Sequence, residues 1–73
     1  MNRQASITGL YRHYKGNEYR VIGEAKHSET EERLVIYETT HEPYIIWARP
    51  YDMFFDTVVV DAVDIPRFSR LDT

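Results

Sequence analysis

Short apolar runs separated by polar turns about every ten residues set the rhythm of this chain, and that rhythm is the one of a small sandwich or barrel. The first run is Gly9-Leu10-Tyr11-Arg12-His13-Tyr14. Lys15-Gly16-Asn17-Glu18 follows, and Gly16 and Asn17 are both able to take positive φ and close a hairpin. In Tyr19 to Lys26 the residues Tyr19, Val21, Gly23 and Ala25 fall on one face and Arg20, Ile22, Glu24 and Lys26 on the other. This is the period of a half-buried strand. His27-Ser28-Glu29-Thr30-Glu31-Glu32 is a polar loop, with Ser28 and Glu31 at capping-box spacing but no apolar helix behind them.

Arg33 to Thr39 is rich in β-branched residues and reads as a strand. Thr40-His41-Glu42-Pro43 then turns the chain into Tyr44-Ile45-Ile46-Trp47-Ala48-Arg49, the most hydrophobic run, expected at the centre of the sheet and ended by Pro50. Tyr51 to Asp56 has apolar residues without alternation, which suits a helical turn plugging one end. Thr57 to Val60 is the last strand, and Ile65-Pro66-Arg67-Phe68 packs the tail. The expected fold is all-β: a five-stranded SH3-like barrel with a short helical turn before the last strand, closed so that no edges are exposed. Residues 1–73 form one domain, its core at about 9–68.

Composition changes this picture little. At 73 residues the chain has room for one core, burying about 60% of the unfolded surface. Its 14% aromatic content supplies the large buried areas so short a chain needs. The absence of cysteine excludes a disulfide framework, a thiolate zinc site and a cysteine nucleophile. No apolar run reaches the ~18 residues of a membrane span and the first residues carry no apolar leader, so the cytosol is the expected location. A net charge of −3 disfavours nucleic acid as a partner, although the first twenty residues are locally positive.

Strand order sorts the polar residues onto two rims. His13, Tyr14, Tyr19, His41 and Tyr44 are expected at the lower rim. Tyr11, His27, Ser28, Glu29, Arg49 and the Met53 to Phe55 plug are expected at the upper one. The histidines lack the short spacing that puts two imidazoles on one ion, so no metal site and no cofactor are expected. Ser28 sits in no nucleophile elbow and is explained as a turn hydroxyl. His27 and Glu29, two apart, are an acid–base candidate or a hydrogen-bonded pair that fixes the loop. Arg49 closes an apolar face, where its five donors grip a carboxylate or phosphate, or else form a salt bridge to Glu29 or Asp52. Tyr11, Tyr37 and Trp47 are a peptide platform or core, and for Trp47 core is expected. Arg12, Lys15 and Arg20, with Tyr14 and Tyr19 for stacking, are a sparse nucleic-acid contact.

Several of these segments, in order, resemble a small bacterial family known as domain of unknown function 1653. They are Gly9 to Gly16, His27-Ser28-Glu29-Thr30, Trp47-Ala48-Arg49-Pro50, Met53-Phe54 and Pro66-Arg67-Phe68. The resemblance spans about Gly9 to Phe68 and implies a small β domain, sometimes attached to larger bacterial proteins, with no established activity. It also implies motif positions at Arg12, His13, Lys15, His27, Ser28, Glu29, Arg49 and Arg67. Thr40 to Tyr44 departs from the pattern with Pro43 where a glycine-containing turn is expected, which weakens any role for His41. The reading is a binding module for a small anionic or polar ligand or a peptide, with candidate residues Tyr11, Arg12, His13, His27, Ser28, Glu29 and Arg49. The alternatives are a small hydrolase or transferase using His27 and Glu29, and a nucleic-acid contact.

Overall fold

The computed structural model describes residues 6–71. The elements are β1 (Gly9–His13), β2 (Glu18–Lys26), β3 (Arg33–Thr39), β4 (Ile46–Pro50), α1 (Tyr51–Phe54), β5 (Thr57–Val60), β6 (Val63–Pro66) and β7 (Phe68–Arg70). Five strands form one antiparallel sheet in the order β4-β3-β2-β1-β7, and β5 and β6 form a separate hairpin. The β1–β2 turn closes as its glycine predicts, with Gly16 at φ +113° and its N–H donating to the His13 carbonyl at 2.7 Å.

The sheet curls because β2 carries an irregularity. Val21 pairs with Tyr37, yet Gly23 pairs with Ile36 and Glu24 with Val35, so Ile22 is the extra residue of a bulge. A bulge adds local twist and bends the strand. It also breaks the alternation expected through Tyr19 to Lys26, because Glu24 now lies opposite the buried Val35. The bend gives the sheet a concave face, on which Tyr11, Val21, Val35, Tyr37 and Phe68 gather around Phe54 of α1.

Aromatic rings do most of the filling. Phe54 stacks on Phe68 with centroids 4.0 Å apart, and the edges of Tyr11 and Tyr37 meet Phe54 at 5.4 and 5.3 Å. Edge-to-face and offset contacts are the favourable ring geometries, and they let six buried side chains serve as a whole core. α1 is held against the sheet by Arg33, whose guanidinium lies 3.6 Å from the Tyr51 ring centroid while its Nε donates to Glu24 at 2.6 Å.

Three expectations change. Among the described residues the strands number seven and no ladder joins β4 to β7, so the five-stranded sheet is open where closure was expected. The hydrophobic run around Trp47 is an edge strand, not a central one. Trp47 is 46% exposed and not core, because it stands opposite Tyr37 on a strand with no further neighbour to cover it. The added strands come from the tail. Val60-Asp61-Ala62-Val63 makes a tight turn with Asp61 and Ala62 at φ +52° and +66°, folding β6 back on β5.

Candidate functional site

The end of the concave face beside the β1–β2 turn collects the chain's most unusual electrostatics. β1 delivers His13 there because its residue lies opposite Phe68 of β7, and the imidazole meets the Phe68 ring edge-on at 4.9 Å. On its other side lies Tyr14, with ring centroids 4.6 Å apart. The backbone N–H of Lys15 donates to His13 Nδ1 at 3.2 Å, which leaves Nε2 to carry the proton of the neutral ring. Burial, then the positive charges of Arg49, Arg67 and Lys15, hold the His13 pKa below its ordinary value.

Arg49 reaches this end from β4. It lies opposite Val35, but its side chain runs along the strand so that Nε donates to the Tyr37 hydroxyl at 3.4 Å. Its guanidinium carbon sits 5.9 Å from the Phe68 ring centroid. Phe68 is therefore a shared floor for the imidazole and the guanidinium. Among the described residues no carboxylate lies within ion-pair distance of Arg49, and the salt bridges foreseen to Glu29 or Asp52 are not formed. The nearby carboxylate is Asp56, and Arg67 already grips it with two hydrogen bonds of 2.6 and 3.2 Å. That grip holds the Asp56 carboxyl below its usual range, with Arg49 adding a smaller push in the same direction. Arg67 also donates its backbone N–H to the Asp56 carbonyl at 3.0 Å and accepts from Tyr14 N–H at 2.9 Å, fixing the β5–β6 hairpin to the end of β1.

The other candidates lie elsewhere. Tyr11 is buried, its hydroxyl donating to the Ile7 carbonyl at 2.9 Å, so it is core and not a binding surface. Arg12 pairs with Glu18 at 2.9 Å and Arg20 stands 4.0 Å from Glu38, which leaves little free charge for a polyphosphate. His27 caps its own turn: Nδ1 accepts from the backbone N–H groups of Glu29 and Thr30 at 3.1 and 3.3 Å. The Glu29 contact is therefore through its backbone. Ser28 and Glu29 are exposed. The structure thus brings Arg49 and His13 to the same ring, Phe68, and gives Arg49 no hydrogen bond or ion pair to His27 or Glu29 among the described residues. Two residues of strand rise are only about 7 Å, and an arginine side chain spans that, so its backbone position did not fix its rim.

A groove of about 220 Å³ reaches His13 and Tyr14 from the side of Ile65 and Pro66, but Arg49 does not line it. Lys15, Asp56, Arg67 and Phe68 belong to the His13 end and were not in the candidate set. The family motif, with Lys15 after His13 and Arg67-Phe68 beside the proline of the tail, is the signal that pointed there. Among the described residues no cluster of histidine and carboxylate side chains suits a metal ion, and no helix is long and apolar enough to cross a membrane.

A curled antiparallel sheet plugged by one helical turn, with a cationic and aromatic end, defines a small all-β domain. The chain belongs to the DUF1653 family: the model described as "Protein of unknown function (DUF1653)" matches residues 9–70. It is similar to the crystal structure of a DUF1653 protein from Bordetella bronchiseptica, at 33% identity over 88% of this chain and 85% of that one, with a TM-score of 0.79. No curated protein matches.

Proposed function

We propose that this chain is a small cytosolic binding module of SH3-like build that takes an anionic group, carboxylate or phosphate, between Arg49 and His13. The observation that carries the reading is Arg49. Its guanidinium is half-buried over Phe68, makes one long hydrogen bond to a neutral hydroxyl, and has no carboxylate partner among the described residues. Half-burying a cation whose nearby carboxylate, Asp56, is already gripped by Arg67 is unfavourable, and an incoming anion relieves it. The planar fork of arginine suits carboxylate and phosphate geometry, and Nε2 of His13 supplies a second donor. Trp47, half-exposed on the same face two residues before Arg49, offers an apolar surface to whatever carries the anion.

Thermal denaturation with inorganic phosphate, then acetate, each against chloride at matched ionic strength, tests the reading. A ligand that binds only the native state raises Tm with concentration by mass action. The rise is expected in the wild type and absent in Arg49→Met. An equal rise in both proteins contradicts the proposal.

A further inference from the structure

The open edge of β4 carries a second, independent feature. Thr39 N–H donates to the Ile45 carbonyl at 3.1 Å, and Ile45 N–H donates to Thr39 Oγ1 at 3.0 Å, so Ile45 turns its backbone groups towards β3. In an antiparallel pair this orientation alternates. Trp47 and Arg49 therefore also face β3, while Ile46, Ala48 and Pro50 face outwards. Pro50, which has no N–H, occupies an outward position where none is needed for the ladder. Among the described residues, Ile46 and Ala48 are left with both backbone donors and both carbonyls unpaired by any strand.

Edges are ordinarily guarded by lysine or another charge, by proline or by a cover. Here Pro50 guards only the far end. Tyr44 to Ala48 are five uncharged residues in succession, and Tyr44, Ile45, Ile46 and Trp47 are 64%, 41%, 65% and 46% exposed. We propose that this edge pairs with the same edge of a second copy, β4 against β4 in antiparallel register, about a two-fold axis at Trp47.

The self-matching register suits a second copy as the occupant. Copies of a chain with net charge −3 repel one another overall, but the β4 edge brings no carboxylate to the seam. With the axis at Trp47, Ile46 pairs with Ala48 of the other copy in both directions, which satisfies the four outward groups on each side. Arg49 then falls opposite Ile45 and not opposite its own symmetry mate, so no like charges meet across the axis. On the convex face Ile46 meets Ala48, and on the concave face the two indoles approach. The exposed area of the four side chains is on the order of 400 Å² per copy, about half of the ~800 Å² per partner of a standard interface. The expected dimer is therefore reversible, with dissociation in the micromolar range or weaker.

Sedimentation velocity on the full chain, from about 1 µM to 1 mM, tests the proposal. The mass is expected to rise from the 8.7 kDa monomer towards twice that value. Ala48→Pro removes an outward N–H that β3 does not use, and Ile46→Lys places a charge on the edge; each is expected to raise the dissociation constant at least tenfold with far-UV circular dichroism unchanged. If one variant fails to fold, the other carries the test. A wild type that stays monomeric throughout overturns the proposal, as does a dimer that neither substitution weakens. Monomers whose Trp47 fluorescence shifts only on adding an extended apolar peptide also overturn it, assigning the edge to a foreign strand.

Discussion

Phe54→Ala removes the ring on which the core converges. The side chain is fully buried, stacks on Phe68 at 4.0 Å and is met edge-on by Tyr11 and Tyr37. Truncating a buried phenylalanine costs about 3–5 kcal/mol, from lost transfer energy and from the cavity left behind. The upper half of that range is expected, because the surrounding rings sit on strands fixed by ladders and cannot collapse inwards. At about 0.05–0.15 kcal/mol per residue, a chain of this length has roughly 4–11 kcal/mol in total. Phe54→Ala therefore consumes most of the stability, while Phe54→Leu, keeping much of the volume, costs about 1–2 kcal/mol. Met53→Ala, at the adjacent half-exposed position, costs less than about 1 kcal/mol. Urea unfolding followed by far-UV circular dichroism measures all three. A loss below 1 kcal/mol for Phe54→Ala at unchanged m-value refutes the plug.

Three further outcomes follow from particular contacts. Ala62 holds φ +66°, where a Cβ costs about 1–2 kcal/mol; after the greater unfolded-state entropy of glycine, Ala62→Gly is expected to stabilise by about 0.5–1 kcal/mol and raise Tm by roughly 3–6 °C in a scanning calorimeter. Asp56 has a depressed carboxyl pKa because of Arg67, so its contribution is present above the ordinary carboxylate value of about 4 and is lost as pH falls through the lower folded value. The stability gap between wild type and Asp56→Asn is therefore expected to close on acidification; a gap constant with pH contradicts the pairing. His27→Ala removes the acceptor of two turn N–H groups and is expected to cost about 0.5–1.5 kcal/mol while leaving the phosphate-induced rise in Tm intact. Loss of that rise in a folded His27→Ala protein contradicts the separation of the two ends.

The strands were largely legible because their pattern is local. Gly16 announced its turn, and Val35 and Tyr37 alternate inwards as a half-buried strand should. Two features were not legible. The β5–β6 hairpin turns on Asp61-Ala62, and alanine at positive φ carries none of the glycine or asparagine signal that marks such turns. The most apolar run became an edge because hydrophobicity reports a tendency to be covered, not which neighbour supplies the cover, and a second copy would satisfy it as well as a central position. At the site, His13 and Arg49 were both singled out but assigned to different ends. Their meeting depends on the bulge at Ile22 that curls the sheet and on Phe68 pairing opposite His13, both of them long-range facts.

The proton affinity of His13 tests the anion site most directly. Burial and three cations depress its pKa, so protonation is resisted in the folded protein, and stability attached to it is present above about 6.5 and lost as pH falls below that value. A bound anion opposes those cations and favours the protonated ring. Titration of the imidazole signals by NMR, in phosphate and in chloride at equal ionic strength, is expected to show a higher His13 pKa in phosphate for the wild type. In Arg49→Met the starting value is expected to move up towards the ordinary one and the phosphate dependence to vanish. A His13 pKa that is the same in both salts, or a phosphate effect that survives the loss of Arg49, contradicts the account.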